Sequence, residues 1–207
     1  MAGIFISFEG IDGVGKSTQA DLLEEFLRSK GREVVRTLEP GGTELGQEIR
    51  HLLLHRKGHV DARAEALLYA ADRAHHTATK IRPALEAGTD VITDRYLDSS
   101  VAYQGAGRVL GAQEVRELSV WATGGLLPAL TVLLDLDAAA ASQRRSKTGE
   151  APDRLEREKI DFFEAARAQY LKLAEAEPER FLVVDAQGSV DEIQAQIRAR
   201  IEQLLGA

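Results

Sequence analysis

Gly10-Ile11-Asp12-Gly13-Val14-Gly15-Lys16-Ser17, followed by Thr18, is the stretch that most constrains this chain. It fits the pattern G-x-x-x-x-G-K-[ST]. Ile4 to Phe8 just before it is a short apolar run with the length of a buried parallel strand, and Ser17 to Lys30 after it has helical periodicity. Strand, glycine loop and helix in that order place a helix N-terminus at the carboxyl end of a sheet. Gly10, Gly13 and Gly15 carry no Cβ and tolerate positive φ, so successive backbone N–H groups can turn inward on an anion. Lys16 adds a point charge suited to the β and γ phosphates of a nucleoside triphosphate, and the Ser17 hydroxyl suits Mg²⁺. A glycine turn without a ligand leaves the Lys-Ser pair unexplained.

At 207 residues the chain has the length of one domain, and no Pro/Gly/Ser-rich linker divides it, so residues 1–207 are expected to form a single unit. A net charge of −7 argues against a surface that lies along nucleic acid, while a small phosphorylated substrate needs only a local basic cluster. There is no Cys, which removes disulfides, thiolate metal sites and a Cys nucleophile, and suits a reducing compartment. The longest apolar stretch, Leu126 to Leu134, contains Pro128 and is too short for a membrane span, and the N-terminus lacks a basic leader pattern. The expectation is a soluble, cytoplasmic protein with no membrane or nucleic-acid partner.

Besides Ile4 to Phe8, β-branched runs occur at Glu33 to Leu38, Val91 to Thr93, Val132 to Leu136 and Leu182 to Val184, each separated from the next by helical pattern. The expected fold is α/β of the P-loop NTPase type, a five-stranded parallel sheet with helices on both faces. Leu22, Leu23, Phe26 and Leu27 form the apolar stripe of the first helix, which Gly31 ends. Ser189 and Glu192 have capping-box spacing ahead of a last helix with Ile193, Ile197, Ile201 and Leu204 on one face.

Ligands of such sheets gather where the strands end. Four segments lie there: Glu39-Pro40-Gly41-Gly42-Thr43, Asp94-Arg95-Tyr96, Asp137 with a basic helix, and Asp185-Ala186-Gln187. Asp94 closes its strand as a Walker-B Asp does and is a candidate Mg²⁺ ligand with Ser17, the alternative being a capping carboxylate. Arg95 is placed to fork two phosphoryl oxygens. Tyr69 and Arg73 are four apart on a helix that Asp61 caps; they either contact a base or belong to an ordinary amphipathic helix. Gln143 to Arg154 is basic and contains Gly and Pro, as a solvated face or a mobile lid does; beside a P-loop the lid is favoured, with Arg144, Arg145, Lys147 and Arg154 as its cations. His51 and His55 lack the Glu at position 52 that a zinc helix needs, so they, His59, His75 and His76 are expected at the surface.

Phe8-Glu9-Gly10-Ile11-Asp12-Gly13-Val14-Gly15-Lys16-Ser17-Thr18-Gln19, then Glu39 to Thr43, Leu68 to Arg73 and Asp94-Arg95-Tyr96-Leu97-Asp98-Ser99-Ser100-Val101-Ala102-Tyr103-Gln104-Gly105 follow one another in an order that resembles the thymidylate kinase (dTMP kinase) family over nearly the whole chain. The resemblance implies transfer of the ATP γ-phosphoryl to dTMP, giving ADP and dTDP, with Mg²⁺, in a homodimer. It implies that Asp12 holds the sugar 3′-OH, Tyr69 stacks on thymine and Arg73 bonds its carbonyl edge. Arg50 and Arg95 would hold the acceptor phosphate, Ser100 and Gln104 would touch the base, and Tyr103 would crowd the sugar 2′ position. Glu39, Pro40 and Ser99 belong to the same substrate set, and Asp185, Ala186 and Gln187 to the adenine loop. Some members carry a catalytic Arg where this chain has Gly13, so the resemblance is to the class whose cation comes from the lid. Leu38 stands where Arg is frequent, and Tyr69 where Phe is usual.

The rival within the class is a kinase for another nucleoside monophosphate. The rival outside it is a nucleotide-binding switch, but no N-K-x-D guanine signature occurs. Arg95→Ala is expected to cripple turnover with ATP affinity largely kept, and Lys16→Ala to weaken triphosphate binding; unchanged dTMP turnover in the Arg95 variant contradicts its assignment.

Overall fold

The computed structural model describes residues 3–146 and 153–206. Five strands, β1 (Phe5–Glu9), β2 (Val34–Leu38), β3 (Asp90–Asp94), β4 (Leu130–Asp135) and β5 (Phe181–Asp185), form one parallel sheet in the order β2-β3-β1-β4-β5. Every pairing is parallel, with Phe8 level with Asp94 on one side and Val132 on the other. β1 is central, and the chain passes to one side of it first and to the other later. Its carboxyl end is therefore the switch point at which a crevice opens.

The strands bury both faces, and alternate residues of β1 point in opposite directions. Ile6 and Phe8 join a core with Leu23 and Leu27 of α1 (Lys16–Ser29) and with Ile193, Ile197 and Ile201 of α9 (Val190–Gly206). Phe5, on the other face, packs with Ile81, Val91, Tyr96 and Leu97. Leu22 and Phe26 are only half-buried, so the inner stripe of α1 is narrower than its sequence pattern. The Ser189–Glu192 capping box forms, with Glu192 N donating to Ser189 Oγ at 3.3 Å and Ser189 N to Glu192 Oε2 at 2.9 Å.

Between β2 and β3 run α2 (Glu44–Leu54) and α3 (Ala62–His76), the latter capped by Asp61, whose carboxylate accepts from Arg63 N and Ala64 N. α3 passes through a π-helical stretch, Thr77–Ile81, into α4 (Arg82–Glu86). After β3, the short α5 (Leu97–Ser100) continues into a second π-helical stretch, Val101–Gly107, which carries Tyr103 and Gln104. Wide turns of this kind recur at functional sites because they re-aim side chains. α6 (Ala112–Thr123), α7 (Ala138–Ser146) and α8 (Ile160–Ala176) complete the helices. Lys147 lies outside the described residues.

One sequence expectation about the interior fails. His76 is fully buried, its Nδ1 donating to Glu39 Oε1 at 2.9 Å and its Nε2 2.7 Å from Thr37 Oγ1. It falls on the inward side of α3 together with Arg73 and Asp72, whereas His51, His55 and His59 are exposed and His75 is half-buried.

Candidate active site

The loop after β1 takes the conformation its glycines permit. Gly10, Gly13 and Gly15 have φ of 131°, 91° and 96°. Among the described residues no side chain caps the α1 N-terminus, so its first N–H groups have no side-chain acceptor there. Ile11 and Val14 anchor the loop in the core, and Gly10 lies so near β4 that a Cβ there would meet Leu134 O at 2.5 Å. Lys16 is buried, and its Nζ donates to Gly10 O at 3.2 Å and Ile11 O at 3.1 Å. Burial, with the nearby Arg95 charge, pulls its ammonium below the ordinary lysine value.

Two cavities open at this edge. The first is lined by Gly13, Gly15, Lys16, Ser17, Thr18 and Asp94, with Arg144 and Arg145 arriving from α7. The second is lined by Pro40, Tyr69, Arg73, Ser99, Ser100, Tyr103 and Gln104, with Asp153 and Leu155. Asp12, Glu39, Arg50 and Arg95 line both and form the wall between them. All the residues expected to bind the acceptor are thus brought together. Asp185, Ala186 and Gln187 line neither cavity, although Ala186 O accepts from Arg144 Nη1 at 2.8 Å.

Arg95 is the most constrained of these residues. Its φ of 69° is unusual for a non-glycine, and such a backbone costs roughly 1–3 kcal/mol, which the surrounding bonds offset. Nη2 donates to Asp12 Oδ1 at 2.6 Å and to Tyr103 OH at 3.2 Å; Nη1 donates to Gly10 O, Ser99 Oγ and Tyr170 OH. Burial opposes a charge on Asp12, but Arg95 and then Lys16 outweigh it and hold that carboxyl at about 2. Asp12 is consequently an anion at neutral pH, an acceptor at the cavity wall.

Beneath Arg95 lies Glu9, which sequence reasoning did not single out. Its Oε1 accepts from Tyr96 N at 2.8 Å, and its Oε2 from Ser99 Oγ at 2.5 Å and Tyr170 OH at 2.9 Å. An acid at the end of an otherwise apolar strand was the available signal. Tyr170 comes from α8, and nothing local in the sequence announces it.

Arg73 is also fixed. Its Nε donates to Glu39 Oε2 at 2.8 Å, its Nη1 to Ser119 Oγ at 3.3 Å, and its Nη2 to Tyr96 O and Ser100 Oγ, both at 3.1 Å. Both Glu39 oxygens therefore serve Arg73 and His76, so Glu39 works from behind as much as from the wall. Arg50 donates to Pro40 O at 2.8 Å.

The basic residues before and after the undescribed stretch part company. Arg144 and Arg145 face the first cavity, with Arg145 donating to Glu156 O at 3.1 Å. Arg154 lines neither cavity: its Nε donates to Leu53 O at 2.7 Å and its Nη2 to Glu65 Oε2 at 2.5 Å. The missing side chain of Gly13 sets the position of α7, since a Cβ there would lie 2.5 Å from Ala141 O and 3.4 Å from Arg145 Cβ.

A glycine loop leading into a helix N-terminus, an Asp at the end of β3 beside Ser17 and a second cavity sharing the wall define a P-loop phosphotransferase. The thymidylate kinase family model matches residues 8–197. The thymidylate kinases of Clavibacter sepedonicus (63% identical over 207 residues, 100% of this chain and 98% of that one) and Leifsonia xyli subsp. xyli (64% over 200 residues, 97% and 95%) are similar along their lengths. The crystal structure of thymidylate kinase from Ehrlichia chaffeensis superposes with a TM-score of 0.81 at 29% identity, covering 98% of this chain and 100% of that one. The chain belongs to the thymidylate kinase family.

Two outcomes follow from the geometry. Gly13→Ala places a Cβ against the α7 backbone at a φ disfavoured for alanine, and turnover is expected to fall on the order of 100-fold as Arg144 and Arg145 shift; steady-state rates equal to wild type contradict this. Burial, with Asp98 adding to it, raises Glu9 from 4.5 to about 7. Folding therefore takes up a proton between those values: the stabilisation is complete below about pH 4.5 and lost as pH rises through about 7. Relative to Glu9→Gln, wild type should lose on the order of 3 kcal/mol from about pH 4.5 to 8. Denaturation midpoints that run parallel for the two proteins refute the assignment.

Proposed function

We propose that the protein is a dTMP kinase, transferring the γ-phosphoryl of ATP to dTMP to give ADP and dTDP for dTTP synthesis. The observation that carries this reading is the wall shared by the two cavities, because it brings a triphosphate held by the glycine loop against an acceptor held by Arg95. An acceptor phosphate oxygen attacks the γ phosphorus, and the bond from that phosphorus to the β,γ-bridging oxygen breaks, leaving ADP. No covalent enzyme intermediate is needed, and the protein contributes positioning and charge.

Gly10 to Thr18 hold the ATP phosphates, with Lys16 as their point charge, and Asp185, Ala186 and Gln187 adjoin the adenine. In the acceptor cavity Tyr69 stacks on thymine, Arg73, Ser100 and Gln104 address its edge, and Arg50 and Arg95 take the phosphate, with Glu39, Pro40 and Ser99 bracing the pocket. Asp12 accepts from the sugar 3′-OH, and Tyr103 leaves no room for a 2′-OH. Arg144 and Arg145 are the cations that meet the charge developing on the transferred group, and the segment from about 143 to 154 acts as a lid. Arg154 joins them only if closure releases it from Glu65.

The residues present fit Mg²⁺. Ser17 Oγ donates to Asp94 Oδ2 at 3.2 Å, and Asp94 Oδ1 is buried with no hydrogen-bond partner among the described residues, so hard oxygen donors stand beside the phosphate cradle. Ser17 and Asp94 would hold the ion, which when bound neutralises charge on the phosphoryl oxygens. No helix among the described residues is long and apolar enough to cross a membrane, and we place the enzyme in the cytoplasm. Exposed Leu45 and Leu52 on α2, Leu67 on α3 and Trp121 on α6, with α3 packed against both neighbours, support a homodimer through these helices.

Initial rates with dTMP, UMP, CMP and AMP under one set of conditions test the reading. ATP consumption that depends on dTMP and exceeds the others by at least about tenfold in kcat/KM is expected. Preference for another monophosphate, or ATP binding without turnover, contradicts it.

A further inference from the structure

Glu65, Tyr69 and Arg73 recur at four-residue intervals and so share one side of α3. Tyr69 and Arg73 line the acceptor cavity, while Glu65 lies behind it, fully buried. Its Oε1 accepts from Gln104 Nε2 at 3.0 Å and Arg108 Nε at 3.1 Å, and its Oε2 from Arg108 Nη2 at 3.3 Å and Arg154 Nη2 at 2.5 Å. Burial disfavours charge there, yet the bonds from Arg108, Gln104 and Arg154 hold the carboxyl below its ordinary value.

An ionised carboxylate only accepts hydrogen bonds. The Gln104 amide is therefore fixed one way, nitrogen toward Glu65, because the reverse would set a carbonyl oxygen against an anion. Its Oε1 accepts from no donor among the described residues and remains for the cavity that Gln104 lines. Arg73 supplies the complementary group. Of the five N–H of a guanidinium, Glu39, Ser119, Tyr96 and Ser100 take four, leaving one on Nη1. A donor and an acceptor lining one cavity complement a pyrimidine edge with a 4-carbonyl beside N3–H. Cytosine presents the reverse, an amino donor beside a ring-nitrogen acceptor.

We propose that Glu65 is the positioning residue that makes the base pocket select a pyrimidine with an N3–H, thymine or uracil, against cytosine, by holding the Gln104 amide with its oxygen toward the base. This rests on the reading of the second cavity as the dTMP site. Arg108 and Arg154 keep Glu65 ionised and unable to donate, so the selection is built into charge balance behind the pocket and not into a group touching the base.

The test measures kcat and KM for dTMP and dCMP in wild type, Glu65→Gln, Glu65→Asp and Arg108→Gln. Glu65→Gln can donate as well as accept and frees the Gln104 amide to turn; Glu65→Asp keeps the charge but withdraws the acceptor. Both are expected to lower the dTMP to dCMP ratio of kcat/KM by about tenfold or more, through a higher dTMP KM and gained dCMP turnover, with kcat for dTMP changed less. Arg108→Gln removes one of the two cations that keep Glu65 an acceptor but leaves Arg154 in place, so it should lower the ratio less than either Glu65 variant does. An unchanged ratio in both Glu65 variants, or an equal fall in Arg108→Gln, overturns the proposal. If the Glu65 variants fold poorly, NMR of ¹⁵N-labelled wild type decides. A Gln104 side-chain proton that stays protected from exchange when dTMP binds supports the proposal, and loss of that protection on binding overturns it. Wild type that phosphorylates dTMP alongside an unchanged ratio removes Glu65's role alone, whereas wild type that ignores dTMP removes the function reading and this proposal with it.

Discussion

The ion pair between Arg95 and Asp12, 2.6 Å apart at the carboxyl ends of β3 and β1, is the contact on which both cavities depend. It spans the switch point of the sheet, where β1 has β3 on one side and β4 on the other. A guanidinium there faces three demands: close approach to the glycine loop, an unusual backbone angle and burial of its charge. Bonds to Gly10 O, Ser99, Tyr103 and Tyr170 meet the first two, and Asp12 meets the third. Both side chains are half-buried, so separating them would leave two partly desolvated charges without their partners. The wall between the two cavities is thus also a structural element.

A second dependence runs through an absence of atoms. Gly13 carries no side chain, and the α7 backbone occupies the space that a Cβ would take. That approach is what brings Arg144 and Arg145 to the first cavity, beside the glycine loop. Any side chain at this loop position would need α7 to stand farther off. In this chain Arg144 and Arg145 come with the helix, so the position of α7 governs where their positive charge stands in the first cavity. Arg154, bonded to Glu65 and Leu53, belongs instead to the cluster behind the second cavity.

Much of this was legible in the sequence because the signals are local. The glycine loop requires its residues within one turn, and five short apolar runs separated by helical pattern lead to a parallel sheet. Asp94 and Arg95 are readable as the residues that follow a strand. The supporting residues are less legible because their meaning depends on partners remote in the chain. Glu9 needs Tyr170, and Glu65 needs Gln104, Arg108 and Arg154. His76 reads as a surface residue until the fold turns it onto Glu39 and Thr37. Helical spacing does carry a trace of these layers: Glu65, Tyr69, Asp72, Arg73 and His76 recur at intervals of three or four and make a polar face of α3 that points inward. A polar stripe ordinarily marks the solvent side, so the pattern alone assigns it outward.

The central claim is that one donor and one acceptor nucleotide meet across the Asp12–Arg95 wall. Its most direct test is calorimetric binding of a bisubstrate analogue in which adenosine and thymidine are joined through a polyphosphate bridge, competed separately with ATP and with dTMP. Binding of one analogue per chain, displaced by either nucleotide, is the predicted result. Displacement by only one of the two, or simultaneous binding of the analogue and dTMP, contradicts the account.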